Sequence, residues 1–184
     1  GNILFNSSPF FHVANLEQMV SYLNGSGNPC ATTTASGNTP PIADANACNA
    51  GAPIMIPLNT PFELIGSATD ADNDQLTYSW EQFDAGPPHG APNVACGSTT
   101  GPIFRSYPPS NSPSRTFPSL EYILNDANVP TPNTVGECLP SVARLLNFKL
   151  TVRDNNSVGG GMHCDAIQLQ VSGTAGPLAI TIPN

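Results

Sequence analysis

Positive charge is scarce in this chain. Its 184 residues hold 5 Lys and Arg together against 13 Asp and Glu, a formal net charge of −8, and Lys149 is the only lysine. Such a surface cannot neutralise phosphates, which excludes nucleic acid as a partner. Charge of either sign is sparse: 10% of residues carry it, against about a quarter in ordinary globular chains. Polar surface therefore has to come from Asn, Ser, Thr and Gln, which suits an extracellular protein. No apolar run reaches the roughly 20 residues of a membrane-spanning helix. The opening GNILFNSSPFF lacks the basic and apolar regions of a signal peptide. It reads as the interior of a longer secreted protein. No CxxC pair or Cys/His cluster has zinc-ligand spacing. His12, His89 and His163 stand apart, with no i,i+4 pair to present two imidazoles on one helical face. No nucleophile elbow is present either, so no set of acid, base and nucleophile can be assembled, and the chain is not expected to be an enzyme.

What is present supports a core: 39% of residues are hydrophobic, punctuated by 20 Pro and 16 Gly. Three zones follow. In residues 1–29 a helix is expected over 14–23, with Asn15 as N-cap, Gln18 three residues on, and Leu16, Met19, Val20 and Leu23 on one face. Asn24-Gly25 stops it. So short a helix is marginal alone, and its apolar stripe requires a partner. Residues 30–52, rich in Thr, Ala, Asn, Gly and Pro, read as a linker. From residue 53 to 175 the period becomes two. Phe62, Leu64, Gly66 and Ala68 alternate with mostly polar neighbours (Glu63, Ile65 and Ser67), as Leu76, Tyr78 and Trp80 do with Thr77, Ser79 and Glu81. Leu146, Phe148, Leu150 and Val152, then Ile167, Leu169 and Val171, do the same. Each run shows one apolar face, as expected of antiparallel strands covering a core on one side.

Strands are expected near 53–58 (A), 61–68 (B), 76–83 (C), 146–153 (F) and 166–172 (G). Between 84 and 140 lies a long Pro/Gly/Ser-rich excursion with a short helix expected over 119–126; strands D and E have to come from it. Short strands, turn-rich connections and a Trp in an early central strand indicate a mainly β, Ig-like antiparallel β-sandwich with a Pro/Gly-rich insertion and a short N-terminal helix. Residues 176–184 begin either a last strand or a following domain. Five cysteines, Cys30, Cys48, Cys96, Cys138 and Cys164, are widely spaced. In a secreted chain this points to two disulfides and one odd thiol, reduced core cysteines being the alternative. Cys30 with Cys48 is the easiest local closure, and Cys138 with Cys164 would tie the excursion to strand G.

TPFELIGSATDADNDQLTYSWEQFD (60–84), GPIFRSYPPSNSPSRTFP (101–118) and LPSVARLLNFKLTVRDN (139–155) resemble the module that follows the catalytic domain in bacterial secreted reprolysin-like zinc metallopeptidases. SSPFFHVANLEQMVSYL (7–23) is similar to the final helix of that catalytic domain. The resemblance implies a non-catalytic accessory domain serving as spacer, stabiliser or substrate exosite. Its partners would be its own catalytic domain, a following domain, and a protein or polysaccharide substrate. Residues 1–29 would be the remnant of the catalytic domain. HExxH is absent, so zinc belongs only to that domain and no catalytic residue carries over. The competing reading is an extracellular adhesion or polysaccharide-binding module.

Asp70, Asp72 and Asp74 place three carboxylates at alternate positions between strands B and C, and Asp154 follows strand F. Hard oxygen ligands on short loops suit Ca²⁺, and in an Ig-like sandwich these two loops share one end. The start resembles an EF-hand loop, but the Gly and Glu of later positions are missing. A solvated acidic turn is the alternative. Trp80 shares parity with Leu76 and Tyr78 and is expected in the core. Phe83, Phe104, Tyr107 and Phe117 are candidates for an exposed aromatic surface or for pinning the excursion to a sheet. Arg105 and Arg115 would bind loop carbonyls or an acidic ligand. Sequons at Asn6, Asn24 and Asn155 matter only in a eukaryotic secretory host.

Overall fold

The structure, a computed structural model, describes residues 10–25, 32, 34–45, 53–86, 96–125 and 136–179. It is mainly β, and its frame is set by the two longest strands, β7 (Leu145–Arg153) and β8 (Met162–Val171). They pair antiparallel, Leu146 opposite Leu169 and Phe148 opposite Ile167. The alternation in β7 resolves as expected: Leu146, Phe148, Leu150 and Val152 are fully buried on one face, while Lys149 and Arg153 lie on the other. β8 begins four residues before the expected start. Met162 to Asp165 show no alternation, yet they find partners because β7 runs on to Arg153 opposite them.

β5 (Thr77–Gln82) joins the other side of β7, with Trp80 opposite Leu150. β2 (Ile54–Ile56) joins β8, giving a sheet ordered β2-β8-β7-β5. The β2–β8 pair is parallel, which departs from the all-antiparallel expectation. Parallel neighbours need a long crossover, and here residues 57–161 separate the two strands.

The stretch expected as one strand at 61–68 divides at Gly66 into β3 (Phe62–Ile65) and β4 (Ser67–Thr69). A Cβ on Gly66 would lie 2.4 Å from Leu150 Cδ2 and 3.2 Å from the Asp44 carbonyl oxygen. Only glycine admits this approach. The two halves then take different partners. β3 pairs with β6 (Ser114–Phe117), and β4 with β1 (Ile42–Asp44), both antiparallel. β1 lies within the 30–52 stretch expected as a linker. Its buried residues, Ala43 and the following Ala45, fit beneath the sheet because they are small. Among the described residues the excursion supplies one strand, β6. It also supplies single bridges of Ser110 to Tyr78 and Phe104 to Glu137, and the short helix α2 (Leu120–Leu124) near its expected place.

The excursion is pinned by rings. Phe62, Phe104, Phe117 and Phe148 pack together, with Phe62 stacked on Phe117 at 5.1 Å and Phe117 edge-on to Phe148 at 4.7 Å. Phe104 and Phe117 are therefore core residues and not surface ones. Burial of each stabilises by about 1.5–3 kcal/mol. Trp80 is buried as expected, and its indole N–H donates to the Pro113 carbonyl at 2.9 Å.

Helix α1 (Val13–Asn24) has His12 at its N-cap, so it starts ahead of Asn15. It lies on the polar face of the β2-β8-β7-β5 sheet, and a buried carboxylate orients it. Glu81 Oε2 accepts the Val13 N–H at 2.8 Å, and Oε1 lies 2.6 Å from His12 Nδ1. Lys149 pairs with Glu17, and Arg153 donates to the Phe11 carbonyl. A helix N-terminus is a natural partner for a buried anion. This anchor turns Val13 inward, leaves Leu16 half-buried, and exposes Met19 by 42%, Val20 by 45% and Leu23 by 55%. Of the stripe expected to need a partner, Met19, Val20 and Leu23 are thus left uncovered within this chain: polar anchoring, not the apolar stripe, sets the helix's roll.

Candidate metal centre

The loop between β4 and β5 curls around its first residue. Asp70 Oδ1 accepts the backbone N–H groups of Asp72 at 2.9 Å and Asp74 at 3.1 Å. Asn73 takes a left-handed φ of 59° to close the turn, a conformation Asn tolerates. Across from it, Asp154 leaves β7 and folds the β7–β8 loop onto itself. Its Oδ1 accepts the N–H of Asn156 at 3.1 Å and its Oδ2 that of Gly161 at 2.9 Å, while Asn38 Nδ2 donates to Oδ2 at 2.6 Å. Burial raises the Asp154 pKa, but the hydrogen bonds from Asn38, Asn156 and Gly161 outweigh it and hold the carboxyl below the ordinary range. Gly161 is required here: a Cβ would lie 2.7 Å from Asp154 Oδ2 and 2.8 Å from Pro40 Cα.

Asp74 Oδ2 accepts from Asn156 Nδ2 at 2.9 Å, which draws the two loops together. As a result Asp70, Asp74 and Asp154 each offer a carboxylate oxygen, and these atoms lie within 4.8 Å of one another. Asp72 does not join them. Its Oδ2 accepts the Thr39 N–H at 2.6 Å, so it faces the segment before β1. The expected four-residue set therefore reduces to three. The site also gains a neighbour that the sequence pattern did not reveal, Asn38.

Two oxygens there, Asp70 Oδ2 and Asn38 Oδ1, are buried without a hydrogen-bond partner. Buried oxygens left unpaired are costly, and a cation offers them what the protein does not. The donors are all oxygen, three of them anionic, with no nitrogen or sulfur ligand in the group. This chemistry fits a hard divalent ion such as Ca²⁺ and disfavours zinc. Asp70, Asp74 and Asp154 are the side chains that would hold it, with Asn38 beside Asp154.

The other expected groups have structural partners. His163 Nδ1 accepts the Ala43 N–H at 3.0 Å, and His89 lies outside the described residues. Ser106 Oγ, His12 and Glu81 do come together. However, Ser106 Oγ at 3.0 Å and Glu81 Oε1 at 2.6 Å both approach the same ring atom, Nδ1. A nucleophile relay needs the two on opposite nitrogens, so these three residues form no triad. Arg115 donates to the Trp80 and Arg105 carbonyls at 2.7 Å and to Glu137 at 2.8 Å, the loop-bracing role. Cys164 is a free thiol 3.4 Å from Thr151 Oγ1, and burial pushes its pKa up. The expected Cys138–Cys164 bridge is therefore not made, and Cys30 and Cys48 lie outside the described residues. No described helix is long and apolar enough to cross a membrane. No family model matches the chain, and no curated protein or solved structure does either.

Proposed function

We propose that this chain is a non-catalytic, Ig-like accessory module of a secreted bacterial zinc metallopeptidase, braced by a calcium ion where three chain segments meet. The observation that carries the calcium part is the convergence of Asp70, Asp74 and Asp154 beside the unpartnered Asp70 Oδ2 and Asn38 Oδ1. The Ig-like reading is supported by the strand order β2-β8-β7-β5 facing β3-β6 and β1-β4 across one core. In Ig terms β2, the strand expected as A, would stand as A′ beside G (β8), F (β7) and C (β5), opposed by β1 as A, β3 and β4 as B, and β6 as E. The peptidase parentage rests on the resemblance of residues 60–84, 101–118 and 139–155. The non-catalytic role rests on the absence of HExxH and on the His12 geometry. A bound ion would stiffen the end of the sandwich that holds the β4–β5 and β7–β8 loops.

Thermal unfolding in millimolar calcium against chelator tests the ion. A site selective for the folded state adds RT ln(1 + [L]/Kd), roughly 2.7 kcal/mol at about a hundredfold excess over Kd. The melting temperature is expected to rise by several degrees. Asp74→Asn is expected to remove most of the response and Asp72→Asn little of it. A melting temperature indifferent to calcium and chelator overturns the site. Casein hydrolysis with added zinc tests the non-catalytic role: none is expected from this chain, and activity lost on mutating one of its residues would overturn that role.

A further inference from the structure

Between β5 and β6 lies a groove of about 380 Å³, lined among others by Glu63, Tyr78, Tyr107, Ser112, Arg115 and Thr116. This volume falls within the roughly 300–1,000 Å³ of small-ligand sites. What it can bind depends on which polar groups the protein has not already used. Arg115 spends both terminal nitrogens on the Trp80 carbonyl, the Arg105 carbonyl and Glu137. The Trp80 indole N–H is taken by Pro113 and the Tyr107 hydroxyl by Ser119. The guanidiniums of Arg105 and Arg115 stack on the Tyr107 ring at 5.2 and 4.7 Å, which fixes it as a wall of the groove.

The rest follows from the register of β6. Gly66 N–H donates to Pro113 C=O at 3.1 Å, and Leu64 stands opposite Arg115 and Phe62 opposite Phe117. Bonded pairs alternate along an antiparallel ladder. Arg115 and Phe117 thus turn their backbone groups to β3, whereas Ser114 and Thr116 turn theirs to the outer edge. Ser112 Oγ meets both groups of Ser114, its N–H at 3.2 Å and its carbonyl at 3.3 Å. Arg115 Nε also has no partner but is buried out of a ligand's reach. Among the described residues the N–H and C=O of Thr116, the exposed Glu63 carboxylate opposite it, and the Tyr78 hydroxyl remain unspent.

We infer that this groove binds a neutral oligosaccharide. Two of the unspent groups, Glu63 and the Thr116 carbonyl, only accept, so the ligand has to donate. Thr116 N–H and the Tyr78 hydroxyl require that it also accept. A sugar hydroxyl does both. An acidic ligand is opposed by Glu63 and by the net charge of −8, since the Arg115 charge is already balanced by buried Glu137 and Arg105 is not among the residues that line the groove. A proline-rich segment presents acceptors alone and would set them against Glu63 and the Thr116 carbonyl. An added β-strand would find only Thr116, because Ser112 closes the edge at Ser114. The inference rests on neither the calcium reading nor the peptidase parentage.

The test is titration of the intact chain, followed by calorimetry and amide NMR shifts. The probes are cellohexaose, chitohexaose, maltohexaose and xylohexaose, with a galacturonic acid hexamer and a decaproline peptide as contrasts. At least one neutral hexasaccharide is expected to bind with a Kd of roughly 0.1–1 mM, shifting the amides of Tyr78, Ser112 and Thr116. Glu63→Gln and Tyr78→Phe, both conservative, are each expected to weaken it about tenfold without moving the melting temperature. The inference fails if no neutral probe binds at roughly 10 mM, or if both variants bind as the parent does. It fails equally if only the acidic hexamer or decaproline binds.

Discussion

Glu137 shows how a side chain from the excursion can become structural. It is fully buried and accepts from Arg115 Nη2 at 2.8 Å and from the Ser119 N–H at 2.7 Å. Removing one partner of a buried ion pair strands the other, at about 3–5 kcal/mol. Glu137→Ala is expected to cost that much in urea unfolding, and a loss below about 1 kcal/mol would show that Arg115 finds another partner. Asp154 makes a pH-dependent case. Its folded pKa lies below the unfolded value near 3.9. Its contribution is therefore present above that value and is lost as pH falls through the folded pKa. Asp154→Asn should cost on the order of 3 kcal/mol at pH 7, and the gap between variant and parent should narrow as pH falls below the unfolded value near 3.9. A gap of constant size would place the loss in packing. Gly66→Ala forces a methyl against Leu150 and is expected to destabilise by about 1–3 kcal/mol.

Among the elements, α1 depends most on a single side chain, because Glu81 both caps its first turn and holds His12. Glu81→Gln is expected to speed amide exchange across Val13–Asn24 at least tenfold while leaving β7 and β8 protected. Exchange unchanged in α1 would mean that Lys149–Glu17 and Val13 suffice. The roll of this helix was not legible in sequence, because Leu16, Met19, Val20 and Leu23 form the better apolar stripe and nothing marks Glu81 as buried. β7 was legible from Leu146, Phe148, Leu150 and Val152. β1 was not: its buried positions are alanines, which carry no visible period. The candidate metal centre was readable in part. The spacing of Asp70 and Asp74, and the position of Asp154 after a strand, put all three at one loop end. Alternate spacing says nothing about how a loop curls, and Asp70 drawing in the amides of Asp72 and Asp74 is what turns Asp72 away. Asn38 reaches Asp154 across 116 positions of sequence, beyond any local pattern.

For the whole molecule, the 34–45 segment belongs to the fold, since it supplies β1 and Asn38. A chain starting at residue 34 is expected to keep the calcium response, and one starting at residue 53 to lose it and melt several degrees lower. Equal melting and equal response in the two would make the 34–45 segment dispensable. The parallel pairing of β2 with β8 bears on load. β2 is the first strand of its sheet in chain order and β8 the last, and they run in the same direction. Tension drawn through the chain from before Ile54 and beyond Val171 pulls the two strands past each other lengthwise. The bonds between Ile54–Ile56 and Leu169–Val171 are then loaded together in shear, where an antiparallel pair pulled from the same sides would unzip one bond at a time. Built this way, the β2–β8 pair would resist extension of the chain drawn from its two sides.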